Sequence, residues 1–144
     1  MLTEFLTTNE INRIESTIAE AEKVTSGEIR IHITTNQNYE DILLAAVDKF
    51  ADLGMDKTRE RNGVLIFICP VRKEFAIIGD EGINKVVGQD FWDSTRDVML
   101  AEFKSGRFAE GIIAGVREAG ASLARFFPGK KNTVNELPNH ISYD

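Results

Sequence analysis

The sequence predicts an α/β chain folded as a three-layer α/β/α sandwich around a small mixed sheet. Three observations carry this. Apolar residues at helical spacing alternate with apolar runs of strand length, in the order α-β-α-β-β-α-α. A strand–helix–strand unit crosses over right-handed, so the first two strands should be parallel. The second and third strands are separated only by a tight polar turn, which makes them an antiparallel hairpin.

Thr7 and Glu10 have capping-box spacing, and Ile11, Ile14, Ile18 and Ala21 then recur at helical intervals. A helix is expected over residues 9–25, with Gly27 as its stop. Ile29, Ile31 and Ile33 alternate with Arg30, His32 and Thr34, the period of a strand with one buried face. His32 falls on its polar side and is expected at or near the surface. Asn36-Gln37-Asn38 is a loop, and residues 41–53 read as a second helix stopped by Gly54. Residues 55–62 form a charged loop. Residues 64–69 are apolar throughout, the pattern of a central strand covered on both faces. Pro70 ends that strand, residues 71–73 make the turn, and residues 74–78 form the third strand.

A short helical turn is expected through Ile83, Val86 and Val87. Asp90 should open a third long helix carrying Trp92, Met99 and Phe103, which Ser105-Gly106 breaks. The last helix carries Phe108, Ile112, Val116, Ala119, Leu123 and Phe126 as an apolar stripe meant for the sheet, and Pro128-Gly129 ends it. Within it Gly111 and Gly115 allow close helix packing. The polar segment after residue 130 is expected to wrap the surface or remain partly disordered. Residues 1–130 thus form one domain and residues 131–144 a C-terminal tail.

Size and composition narrow the function. A chain of 144 residues with 42% hydrophobic and 28% charged residues can bury a core within one domain. Its net charge of −6 argues against nonspecific nucleic-acid binding, which needs clustered lysines and arginines, and is compatible with binding cations. No apolar run approaches the ~20 residues that span a bilayer. The N-terminus has neither the basic region nor the apolar core of a signal peptide, so a cytoplasmic location is expected. Cys69 is the only cysteine and closes an apolar run, the setting of a buried structural thiol.

The two ends of the predicted sheet differ. Ligands in parallel α/β sheets usually bind beyond the carboxyl ends of the strands. Here that edge holds residues 35–38 with Glu40, Asp41, Arg72 and Lys73, ordinary loop and cap residues. The opposite edge gathers more chemistry. Hairpin pairing places Arg59, Arg61 and Asn62 near Asp80 and Glu81, with Glu28 at the start of the first strand and Asp90 and Asp93 at the start of a helix. Glu28, Asp80, Glu81, Asp90 and Asp93 are hard oxygen ligands suited to a divalent cation. Arg59 and Arg61 could clamp an anion. Each also has a purely structural role open to it. Asp80 can pair with an arginine, Asp90 can cap its helix, and Asp93 can favour the helix dipole. No phosphate-binding loop, EF-hand loop, HExxH or Gly-x-Ser-x-Gly is present.

Several short motifs, in order, resemble the TPM domain family. They are Ser26-Gly27-Glu28-Ile29, Arg61-Asn62-Gly63-Val64-Leu65, Gly79-Asp80-Glu81-Gly82-Ile83, Phe91-Trp92 and Phe103-Lys104-Ser105-Gly106-Arg107-Phe108-Ala109-Glu110-Gly111. Phe127-Pro128 and Asn135-Glu136-Leu137-Pro138 are similar to the ending of a soluble bacterial branch. The resemblance implies an α/β/α sandwich with about four strands, so the sheet is expected to have three to four. It implies calcium binding in some members and weak acid phosphatase activity in plant members. It points to Asp80, Glu81 and Asp90 and supplies no catalytic set. The chain departs from the membrane-anchored members.

Two functions follow as expectations. The first is a divalent-cation-binding module acting in stress response, repair or protein assembly, with calcium as the ion and magnesium as the alternative. The second is a metal-assisted phosphatase, which needs an activated water and a cationic clamp. No histidine or phosphoryl-accepting nucleophile is placed in the cluster, so the module is preferred. A scaffold for another protein is a third reading.

Overall fold

The computed structural model describes residues 5–88, 90–129 and 137–144. The elements are α1 (Thr8–Glu22), β1 (Glu28–Ile33), α2 (Ile42–Asp52), β2 (Gly63–Cys69), β3 (Glu74–Gly79), α3 (Glu81–Asn84), α4 (Asp93–Lys104), α5 (Phe108–Phe126) and β4 (Ser142–Tyr143). A short 3-10 helix, Met55–Lys57, precedes β2. The capping box forms as the spacing predicts: Thr7 Oγ1 accepts from the Glu10 amide at 3.1 Å, and the Glu10 carboxylate accepts from the Thr7 amide at 2.8 Å.

One sheet of four strands runs in the order β3-β2-β1-β4. β1 is parallel to β2 and to β4, and β2 is antiparallel to β3. The period of two divides the side chains between two cores. Ile29, Ile31, Ile33, Val64, Ile66, Ile68 and Ile77 face the layer of α1, α4 and α5. Leu65, Phe67 and Ala76 face Ala46 and Phe50 of α2, with Met55 and Leu137. On α5, Ile112, Val116, Ala119 and Leu123 are fully buried. Small residues seat α5 against its neighbours: a Cβ on Gly115 would stand 2.5 Å from Met99 Sδ, and one on Gly111 2.4 Å from Phe103 Cε1. Among the described residues no helix is long and apolar enough to cross a membrane.

Four expectations are corrected. The apolar stripe of α5 is shorter than its sequence suggests, because Phe108 and Phe126 are 42% and 46% exposed. The long helix after α3 begins at Asp93, and Asp90 lies in the preceding turn, where its carbonyl accepts from the Asp93 amide at 3.1 Å. Both faces of β1 are covered, and on the face read as polar the His32 ring lies against Phe67 of β2 and the C-terminal Ser142 and Asp144. His32 is therefore only 1% exposed.

The fourth correction concerns the tail. Ser142 and Tyr143 add a strand beside His32 and Ile33, giving the fourth strand that the family resemblance implies. His32 holds it: Nδ1 lies 2.7 Å from Ser142 Oγ and Nε2 3.0 Å from Asp144 Oδ1, while the ring stacks on Phe67. Burial lowers the His32 pKa, while the Asp144 carboxylate opposes that shift. Lys49 Nζ also reaches Asp144, at 2.5 Å. Residues 130–136, including Asn135 and Glu136 of the ending motif, lie outside the described residues, as do residues 1–4 and Gln89.

Candidate functional site

The hairpin forms in the predicted register. Val64 is opposite Gly79, and the Asp80 amide donates to the Gly63 carbonyl at 3.0 Å. Asp80 is thereby fixed at the end of β3, where the chain turns into α3. Its carboxylate caps that helix, accepting from the Glu81 amide at 2.7 Å.

The same carboxylate takes a forked pair from Arg61, with Nε 2.9 Å from Oδ2 and Nη2 3.0 Å from Oδ1. Arg61 Nη1 also stands 3.2 Å from Glu81 Oε1. The Asp80 side chain is only 5% exposed, whereas Arg61 and Glu81 reach solvent. The Asp80 hydrogen bond raises the Arg61 pKa further, helped by the charges of Glu81 and Asp56.

Backbone geometry makes this possible. Arg61 lies in the left-handed region at φ 52. The Gly82 amide donates to its carbonyl at 2.8 Å. A Cβ on Gly82 would fall 2.3 Å from the Glu60 carbonyl oxygen and 2.5 Å from that of Arg61. Two backbones touch at this point, and only a hydrogen fits between them.

The remaining predicted residues divide. Glu28 is buried beside the cluster in sheet register with Gly63, and its carboxylate accepts from the Leu137 amide. Arg59 is exposed in the loop before β2. Asp90 is exposed and carries its carboxylate back toward Gly88, and Asp93 forms an ion pair with Arg96 on its own helix. The chain thus brings together Arg61, Asp80 and Glu81, while Asp90 and Asp93 point their charges elsewhere. Among the described residues no three His, Cys, Asp or Glu side chains converge as ligands to a metal ion.

Sequence reasoning passed over three residues here. Asp56 and Thr58 lie in the loop that carries Arg61, and among the described residues Asp56 Oδ1 and Thr58 Oγ1 are buried without a hydrogen-bond partner. No motif marks them, and their only signal was membership of a charged loop. The third is Glu22, whose carboxylate accepts from the Ile29 amide at 2.8 Å. Burial raises its pKa to about 7; the Ile29 bond opposes that shift and the nearby Glu28 charge adds to it. Neither histidine is in the cluster. His32 lies at the other end of β1, bound to Asp144, and His140 stands by Glu15 of α1.

A mixed four-stranded sheet between helical layers, with an arginine-locked acidic turn at the end of its hairpin, defines the structural class. The TPM domain family profile matches residues 2–122, and the chain belongs to that family. The chain is similar throughout to the BA42 protein of the psychrophilic bacterium Bizionia argentinensis, whose NMR structure superimposes with a TM-score of 0.93 at 46% identity, over 100% of this chain and 99% of that one. Two more distant solution structures share the fold. The N-terminal domain of a P. gingivalis protein has a TM-score of 0.70 at 14% identity, covering 92% of this chain and 83% of its own. That of the cg2496 protein from Corynebacterium glutamicum has 0.67 at 11%, covering 91% and 81%. No curated protein matches the chain.

Proposed function

We propose that this TPM domain binds a divalent cation, calcium first and magnesium as the alternative, at the edge where the loop of residues 55–62 meets the end of the hairpin. The observation that supports this most directly is the pair of buried oxygens, Asp56 Oδ1 and Thr58 Oγ1, without a hydrogen-bond donor among the described residues. A buried oxygen without a partner is costly, on the order of 1–3 kcal/mol. A hard cation satisfies such oxygens. Glu81 is exposed and can complete the coordination, as can water. Asp80 serves first as the partner of Arg61, so its contribution is to fix the loop and add negative field. The family resemblance supports a binding role in repair or protein assembly, and among the described residues no histidine stands in the cluster.

Calcium titration of the thermal and urea unfolding curves tests this reading. An ion bound only by the folded chain, at 100 times its dissociation constant, adds ~2.7 kcal/mol. Asp56→Asn should reduce that gain sharply, and Glu40→Gln at the far edge should leave it intact. Stability unmoved by millimolar calcium, or a response that follows Glu40 and ignores Asp56, would remove the site.

A further inference from the structure

The opposite end of the hairpin carries a different feature. A cavity of about 310 Å³ opens beside the β2–β3 turn, between the end of α4 and the start of α5. Its walls are aromatic. Phe103 stands at the centre, edge-on to Phe75 with ring centroids 5.4 Å apart and tilted against Phe108 at 5.7 Å. Phe5 packs on Phe108 at 5.3 Å. Leu100 and Phe108 remain 39% and 42% exposed, so the apolar wall is open to solvent.

Among the described residues the charges at this cavity are not balanced. Lys73, Lys104 and Glu74 line it. The Glu74 carboxylate is already engaged, accepting from Tyr39 at 2.8 Å and pairing with Arg72 at 3.1 Å. Lys73 and Lys104 form no ion pair among the described residues. Lys73 sits at φ 56, a left-handed turn position that fixes where its side chain leaves the backbone. Two ammonium groups thus stand beside an aromatic-walled hollow while the local carboxylate is neutralised. In a chain of net charge −6 this is a local reversal of sign.

We propose that this cavity binds a small amphiphilic anion, a carboxylate on a single apolar chain, with the chain against Phe75, Phe103 and Phe108 and the carboxylate between Lys73 and Lys104. A concave apolar cleft with a few polar groups at its rim is the usual form of a small-molecule site, and the volume of this one falls at the lower end of that range. The apolar part supplies affinity, about fourfold per methylene buried. The lysines supply the selection for an anion, and by themselves would hold a carboxylate only weakly. The site is independent of the cation site, from which the full length of the hairpin separates it.

The test is an amide NMR titration with decanoate below its aggregation threshold, repeated with decanol and with decyltrimethylammonium. Decanoate should shift the amides of Phe75, Leu100, Phe103 and Phe108 and leave those of Arg61 and Glu81 in place. Decanol should bind about tenfold more weakly, and the cationic amphiphile more weakly still. The double variant Lys73→Gln/Lys104→Gln should lose about the same tenfold for decanoate and nothing for decanol, with its dispersed spectrum showing that it folds. Leu100→Trp, which fills the opening, should abolish binding of both. Equal affinity for decanoate and decanol would overturn the proposal, as would decanoate affinity unchanged in the lysine double variant. Nuclear Overhauser contacts from Leu2 to Phe103 would make the chain's own N-terminus the occupant and overturn it as well.

Discussion

Gly82→Ala is the sharpest probe of how this fold holds its acidic turn. Gly82 lies inside α3, and its φ is one that any residue adopts, so the substitution carries no intrinsic backbone strain. Considered alone it should stabilise the chain by about 0.4–1 kcal/mol, since alanine leaves the unfolded state less entropy to lose. Contact reverses the sign. The new methyl would stand 2.3 Å from the Glu60 carbonyl oxygen and 2.5 Å from that of Arg61. Both obstacles are backbone, and neither can rotate away. Relief requires α3 and the loop before β2 to separate, at about 1–3 kcal/mol for overpacking. Separation also lengthens the 2.8 Å bond from the Gly82 amide to the Arg61 carbonyl, worth about 0.5–1.5 kcal/mol. The net loss should be about 0.5–4 kcal/mol, centred on ~2 kcal/mol, once the propensity gain is subtracted.

The assay is urea unfolding with the slope held as a check on the compactness of the unfolded state. Gly88→Ala is the control, because the nearest atom to its Cβ is an exposed carboxylate oxygen of Asp90 at 3.3 Å, which can turn aside. It should change stability by less than about 0.5 kcal/mol, as surface substitutions do. The Arg61 Nε–H resonance, held by Asp80 in the native chain, should shift in Gly82→Ala and stay in Gly88→Ala. Equal stabilities for the two variants would refute the close approach of these backbones, and with it the reason for a glycine at this position.

Two further outcomes follow from burial. Leu123→Ala removes a fully buried side chain of α5 and should cost roughly 2–5 kcal/mol in the same urea assay, against less than about half a kcal/mol if that face were exposed. Glu22 gives a pH dependence of unusual sign for a carboxyl group: its folded pKa, about 7, exceeds the unfolded 4.5, so the stability it contributes is complete below pH 4.5 and is lost as pH rises through 7. In EDTA, Glu22→Gln should therefore be more stable than the parent chain by about 3 kcal/mol at pH 8, with the difference vanishing near pH 4.5, and a difference independent of pH would refute this assignment.

Local signals made most of the fold legible. The hairpin could be read because two apolar runs and one polar turn lie within a single stretch of sequence, and its register then fixed Arg61 beside Asp80. The capping box was equally local. What sequence reading missed depends on distant partners. Alternation assigned Arg30, His32 and Thr34 to the polar face, but His32 is buried there by partners that are distant in sequence, Ser142 and Asp144, more than a hundred residues away. A strand of two residues is too short to show a period, so β4 had no signal except in the family resemblance. Asp90 looked like a helix cap. The helix instead begins after Phe91 and Trp92, whose rings pack edge-on at 4.6 Å, and burial of Trp92 outweighs the capping preference. Asp93 was placed correctly at a helix start, yet its charge is taken by Arg96, three residues along the same helix.

The electrostatics of the acidic turn decide how its two readings fit together. The forked Arg61–Asp80 pair would by itself explain why Asp80 is there. A carboxylate 5% exposed needs both a cation and hydrogen bonds, and it has them. That structural role argues against Asp80 as a primary metal ligand, because a cation taking its oxygens would have to displace a bidentate guanidinium. Glu81 and Asp56 act on the same guanidinium as Asp80 does. Among the described residues Asp56 and Thr58, in the loop that carries Arg61, each keep a buried oxygen without a donor. On the reading proposed above, a divalent ion would give those oxygens a partner. The two roles are compatible: Arg61 locks the hairpin end in place through Asp80, and the proposed ion would take the Asp56 and Thr58 oxygens that this lock does not use.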